Sequence, residues 1–208
     1  MKRYPVRAAS SKRQGELDWS AATCLTDFAF PWETTPAAPT EFRALWSSER
    51  LYFRFDCRDD DLVLGEGATE KARVLGSDRV EIFLAPDLGL EPYFCLEMAP
   101  SGDSYVYRAR TYRQFDDAFA IEGLEVTSKI SDERSSYRVE GSLPLAALRE
   151  LGVSKAGTRE FFAGVYRAEF SRKPQGGVHF GWMSWVDPQT PKPDFHVPSS
   201  FGVFELCD

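Results

Sequence analysis

Glu81 and Glu97 hold the same strand parity in two neighbouring runs, "RVEIFLA" (79–85) and "YFCLEMA" (93–99). Phe83 shares the side of Glu81, and Tyr93 and Cys95 share the side of Glu97, while Val80, Ile82, Leu84, Phe94, Leu96 and Met98 take the opposite sides. Arg138 with Glu140, and Arg167 with Glu169, stand two residues apart and point the same way on a strand. Carboxylates and guanidinium groups gathered on one face suit a polar groove that hydrogen-bonds hydroxyl groups, and arginine adds planar bidentate contacts. The same residues would also serve as cross-strand ion pairs on a solvated sheet, each worth about 0.2–1 kcal/mol. Two carboxylates about 5–9.5 Å apart would meet the geometric need of a glycosidase. No other enzyme signature accompanies them: there is no H-E-x-x-H, no G-x-S-x-G and no phosphate loop, and "GEG" (65–67) has no lysine behind it. A non-catalytic protein is therefore expected.

Two further stretches carry chemistry. "DCRDDD" (56–61) offers several hard oxygens to a structural calcium ion, with Asp59 and Asp60 as the candidate ligands, although it lacks the EF-hand spacing. An acidic turn after a strand is the plainer reading. "SWVDPQTPKPDFHVPSSFG" (184–202) combines four prolines with Trp185, Phe195 and His196. Stiff loops of this length usually present side chains for function, yet Trp185 and Phe195 would also cap the end of a core. A haem held between Met98 and either His179 or His196 would need Met98 to leave the parity it shares with Phe94 and Leu96, so a packed methionine is the better reading.

The elements that must position these residues are short strands. "LYFRFDC" (51–57) alternates Leu51, Phe53, Phe55 and Cys57 with Tyr52, Arg54 and Asp56, and "SYVYRAR", "SYRVEG", "FFAGVYRAEF", "HFGWMSWV" and "FGVFEL" continue the pattern. Turn-forming clusters such as "APSGDS" and "RKPQGG" separate them. The period predicts an all-β, two-sheet antiparallel sandwich of the immunoglobulin-like or jelly-roll type, with Phe53, Phe55, Val80, Ile82, Leu84, Phe94, Leu96 and Val139 in its core. One helix is expected in "SLPLAALRELG" (142–152), with Ser142 as N-cap and Gly152 past the end. Residues 58–78 read as a long loop with a helical turn around "ATEKAR", residues 1–15 as a tail or edge strand, and 16–208 as a single domain.

Composition narrows the partners. A net charge of −7 argues against nucleic acid and anionic membranes. No apolar run reaches bilayer length, and "MKRYPVRAAS" has no apolar stretch behind its basic start, so the sequence reads as cytosolic unless an export signal has been removed. Cys24, Cys57, Cys95 and Cys207 form no C-x-x-C pair, so zinc and thioredoxin-like redox chemistry are not expected.

The order "ELDWS", "LYFRFDCRDDDL", "SDRVEIFLAPD", "YRVEGSLPLAAL", "GVYRAEF" and "SWVDP…FHVPSSFGVFEL" resembles the family 9 carbohydrate-binding modules, within the broader group of DOMON-like sandwiches. The resemblance spans residues 16–206. It implies a β-sandwich, sugar binding that is often at chain ends, a place in carbohydrate catabolism, and structural calcium in some members. It also implies that the loop before the last strand supplies an aromatic platform, here Trp185 or Phe195, with Glu81 as the sugar-contacting carboxylate and Asp59 at an acidic position; Arg167 is expected beside them as a further polar partner. Two features of the family are missing. Leu75 stands where a second Trp would complete a ring sandwich, and Cys95 stands near the place of an arginine. The rival expectation is an interaction module that keeps the sandwich without the sugar site.

Overall fold

The computed structural model describes residues 1–13 and 16–208. In chain order the strands are β1 (Arg3–Ala8), β2 (Ser11–Arg13), β3 (Glu16–Leu17), β4 (Thr40–Trp46), β5 (Arg50–Arg58), β6 (Arg79–Ala85), β7 (Tyr93–Met98), β8 (Ser104–Ala109), β9 (Phe115–Asp116), β10 (Glu125–Ile130), β11 (Ser136–Pro144), β12 (Glu160–Arg172), β13 (Val178–Ser184) and β14 (Gly202–Cys207). Two short α-helices, α1 (Glu70–Leu75) and α2 (Leu145–Glu150), interrupt them.

The fold is mostly β, as the alternation predicts, but it is not two separate antiparallel sheets. Twelve strands form one curled mixed sheet in the order β10-β11-β5-β4-β1-β14-β12-β6-β7-β8-β9, with β13 beside β12, and β2 pairs with β3 apart from it. The join is β1, which runs parallel to both β14 and β4. Tyr4 lies opposite Phe204, and its ring packs 5.2 Å from Phe204 and 5.3 Å from Phe42. Its hydroxyl donates to the Thr23 carbonyl at 2.6 Å and accepts from Ala44 N–H at 2.8 Å, so the buried phenol is satisfied. For residues 1–15, read as a tail or edge strand, Arg3–Ala8 has strand neighbours on both sides, and positions 14 and 15 lie outside the described residues.

All eight core residues named from the alternation lie in one cluster. That cluster joins Phe53, Phe55 and Val139 of the β5–β11 half to Ile82, Leu96 and Val165 of the β6–β7–β12 half, so the two halves of the curled sheet pack over one core. The second sides of β6 and β7 are also buried, contrary to the half-solvated strands expected. Phe83, Tyr93, Cys95, Tyr107 and Tyr166 form a second apolar cluster there, covered by Phe195 and Phe201 of the proline-rich loop.

The helix forecast over 142–152 begins later than expected. Ser142 belongs to β11, where its hydroxyl accepts from Arg50 Nε at 2.9 Å, and Pro144 occupies the N-cap of α2 without a side-chain hydrogen bond. Gly152 follows with φ 72°, a conformation that glycine adopts freely. The turn around "ATEKAR" is α1, capped by Thr69, whose side chain accepts from Ala72 N–H.

Candidate functional site

A cavity of about 390 Å³ opens over the second face of β6 and β7. The cross-strand pair Glu81 and Glu97 forms its floor. Arg79 Nε lies 2.7 Å from Glu97 Oε2 and 2.9 Å from Glu81 Oε1, and the Tyr107 hydroxyl donates to Glu97 Oε1 at 2.8 Å. The guanidinium is held over the rings of Trp182, at 5.3 Å, and Phe170, at 5.7 Å. Burial, then the neighbouring Glu97, pushes the Glu81 carboxyl well above the ordinary carboxylate range, and Arg79 offsets only part of that rise.

Aromatic rings make the walls. Tyr105 and Tyr107 stack at 4.6 Å on β8, and Phe115 of β9 meets Tyr107 edge-on at 4.8 Å. Opposite them stand Trp182 from β13 and Phe195 from the loop, 6.1 Å apart and nearly perpendicular. Phe115 is 42% exposed and Leu75 40%, and both line the mouth. An open apolar mouth above a polar floor can cover the C–H face of a small ring while the floor bonds its hydroxyls.

The loop from 185 to 201 is tied down at both of its ends and along its length. Trp32 Nε1 donates to the Thr190 carbonyl at 2.7 Å, and Ser200 Oγ lies within bonding distance of the Tyr166 hydroxyl, at 2.8 Å, and donates to the Phe195 carbonyl at 2.6 Å. Asp194 accepts from the Tyr112 hydroxyl at 2.7 Å and from Arg113 Nη2 at 3.1 Å, which clasps the loop to the β8–β9 connection. His196 packs beside Phe83 and bonds the Tyr93 hydroxyl through Nδ1 at 2.9 Å; burial and nearby Arg113 lower its pKa to about 4, so the ring is neutral.

Four of the residues expected to act together are separated. Glu81 and Phe195 reach the cavity; Trp185 and Arg167 do not. Trp185 is 2% exposed and sits in the main core, with its ring 6.4 Å from Tyr4 and 6.1 Å from Phe204. Gly202 makes this possible, because a Cβ there would come within 2.5 Å of the indole. Phe195 offers little more than an edge, since one face stacks on Tyr166 at 4.1 Å. Trp182, three residues earlier and of the opposite parity, is the tryptophan at the cavity. Met98 lies in the main core, His179 bonds Glu33 at the surface, and His196 packs on the opposite side of β7, so the histidines and Met98 do not converge.

Arg167 points into the curled sheet instead. It is fully buried, with Nη1 donating to Thr40 Oγ1 at 2.9 Å and Nη2 to the Arg58 carbonyl at 2.8 Å and Asp59 Oδ2 at 3.2 Å; Glu169 is its second ion-pair partner. Asp59, Asp78 and Glu169 bring one oxygen each within 4.8 Å of one another. Asp78 also accepts from the backbone N–H of Val63 at 2.5 Å and of Phe170 at 2.6 Å. Glu169 Oε2 is buried without an aligned hydrogen bond. Burial raises the Asp78 carboxyl to about 7 and that of Glu169 to about 8. Three carboxylates against one guanidinium leave negative charge unbalanced, so the donor set fits a hard cation that takes oxygen ligands. Asp60 is exposed and outside this group.

The geometry meets a known family. The sequence model described as carbohydrate family 9 binding domain-like matches residues 14–208, and the chain belongs to that family. Among solved structures, a protein of Bacteroides uniformis ATCC 8492 superposes with a TM-score of 0.71 at 17% identity, over 99% of each chain. A family 9 carbohydrate binding module from Caldicellulosiruptor kristjanssonii, solved with cellotriose, superposes with a TM-score of 0.64 at 17% identity, over 99% of this chain and 93% of that one. A family 9 module from the same organism, solved with glucose, gives 0.57 at 20% identity, over 99% and 96%. No curated protein matches the chain. Among the described residues no helix is long and apolar enough to cross a membrane.

Proposed function

We propose that the protein is a non-catalytic carbohydrate-binding module that holds a mono- or oligosaccharide in the cavity above Glu81 and Glu97. The observation that carries this reading is the pairing of exposed Phe115 and Leu75 at the mouth with a buried carboxylate floor beneath them. Family membership and neighbours solved with cellotriose and glucose support it. Phe115 and the Trp182 wall take the role of the aromatic platform. Glu81 and Arg79 serve the hydroxyls, with Arg113 at the rim.

The platform is incomplete. Leu75 covers less of a sugar face than an indole would, so affinity is weak, in the range of about 0.1 mM or poorer, or 4–5.5 kcal/mol of binding free energy. Catalysis is not part of the reading, because Glu81 and Glu97 are both buried and held by the same guanidinium nitrogen. A calcium ion held by Asp59, Asp78 and Glu169 would act structurally, neutralising charge beneath the β5 end. Carbohydrate catabolism is the setting in which such a module would serve.

Tryptophan fluorescence tests the placement. A sugar panel including glucose and cellotriose should change the emission of the wild type and of Trp185→Phe, and should leave Trp182→Phe unresponsive. A response that survives in Trp182→Phe and disappears in Trp185→Phe would refute the site.

A further inference from the structure

The floor of the cavity is short of positive charge. Glu81 and Glu97 are each more than nine-tenths buried, and a single guanidinium stands between them. Glu97 is fully served, by Arg79 at one oxygen and Tyr107 at the other. Glu81 is not: its Oε1 touches Arg79 Nε at 2.9 Å without the alignment of a hydrogen bond and has no other donor among the described residues. The cations at the rim are already committed, Lys71 to Asp117 and Arg113 to Asp194. A buried carboxylate left in this state is costly unless a proton or a cation joins it. A sugar hydroxyl would supply a hydrogen bond and no charge. An ammonium group would supply both, in a cavity whose aromatic walls also attract cations.

We propose, resting on the carbohydrate-binding reading above, that the cavity selects amino sugars, hexoses in which a protonated amine replaces a hydroxyl, over their neutral counterparts, with Glu81 receiving the ammonium group. In the free protein the raised proton affinity of Glu81 means that a proton fills the deficit. On binding, the ammonium takes that place and the proton leaves Glu81 for the buffer, so charge balances throughout. A neutral sugar leaves the proton where it is.

Calorimetric titration of the full chain at neutral pH with glucosamine, glucose and N-acetylglucosamine tests this, each in two buffers of different ionisation enthalpy. Glucosamine is expected to bind about tenfold more tightly than glucose, the gain of one charge-assisted hydrogen bond. N-acetylglucosamine, which has no charge, should bind no more tightly than glucose. Only the glucosamine heat should depend on the buffer, reporting proton release. In Glu81→Gln the ratio of glucosamine to glucose affinity should fall to about one. Equal binding of glucose and glucosamine by the wild type, without proton release, would overturn this inference and leave the carbohydrate reading intact. A ratio unchanged in Glu81→Gln would overturn the assignment to Glu81. Binding of none of the three sugars, nor of cellotriose, would remove the carbohydrate reading and this inference with it.

Discussion

Glu81 and Glu97 face one another across β6 and β7 with one guanidinium nitrogen between them, Arg79 Nε at 2.9 Å and 2.7 Å. This contact leaves two buried carboxylates sharing one cation. Replacing a buried carboxylate that lacks a full partner by an isosteric amide removes its desolvation cost. Glu81→Gln should therefore hold or raise the melting temperature, whereas Arg79→Met, which takes the cation from the buried Glu97 carboxylate, should lower stability by about 3–5 kcal/mol. Thermal melts of the two variants check this; a large loss in Glu81→Gln would show that its carboxylate is fully paired.

Buried acids also set the pH response. Asp78 is raised to about 7, Glu169 to about 8, and Glu81 lies well above the ordinary range, all chiefly through burial. A raised acid binds its proton more tightly in the folded state, so stability is lost as pH climbs from the unfolded pKa through the folded one. His196, lowered to about 4 from 6.5, works in the opposite sense, and only below 6.5. Above pH 6.5 the acids act unopposed by it, and in EDTA the melting temperature should fall by at least a few degrees towards pH 8. A flat or rising profile over that window would contradict the charge assignments.

Calcium should remove much of that fall. An ion bound by the folded protein alone stabilises by mass action, so millimolar calcium should raise the melting temperature over an EDTA control, and more at pH 8 than at mildly acidic pH. Asp78→Asn should abolish the calcium-dependent part. No difference between calcium and EDTA at either pH would mean that Arg167 and bound protons neutralise Asp59, Asp78 and Glu169 without a metal.

Leu75 offers a gain-of-function test. It closes α1 at the mouth of the cavity and is 40% exposed. Leu75→Trp should tighten sugar binding about tenfold by covering the second ring face, with little effect on stability. Affinity unchanged in a folded Leu75→Trp protein would place the bound ring elsewhere.

Much of this was legible in the sequence. The parity of "RVEIFLA" and "YFCLEMA" separates core side chains from Glu81 and Glu97, and the structure keeps that separation. What the parity does not reveal is that the second face is covered too, because the cover comes from a loop a hundred residues away in sequence. Trp182 and Trp185 differ in parity within "HFGWMSWV", a signal that separates the inward Trp185 from Trp182 at the cavity, although the place of the loop before the last strand points to Trp185 as the platform. Arg167 is harder: both sides of "FFAGVYRAEF" are apolar, so alternation gives no direction, and besides Glu169 on its own strand it takes Asp59, from the connection after β5, to make an inward guanidinium tolerable. The single curled sheet was out of reach as well, since the parallel pairing of β1 with β14 joins the two ends of the chain.

A sugar held in the cavity beneath Phe115 must touch that ring, and calorimetric titration of cellotriose against the wild type and Phe115→Ala reads this contact. Phe115 packs at the rim, 42% exposed, so its truncation should leave the fold intact. The wild type should bind weakly, near about 0.1 mM or poorer, and Phe115→Ala should lose about 1 kcal/mol or more, roughly fivefold or greater in affinity. Equal affinity in the two proteins, or no heat from either at tens of millimolar sugar, would show that no sugar sits beneath Phe115.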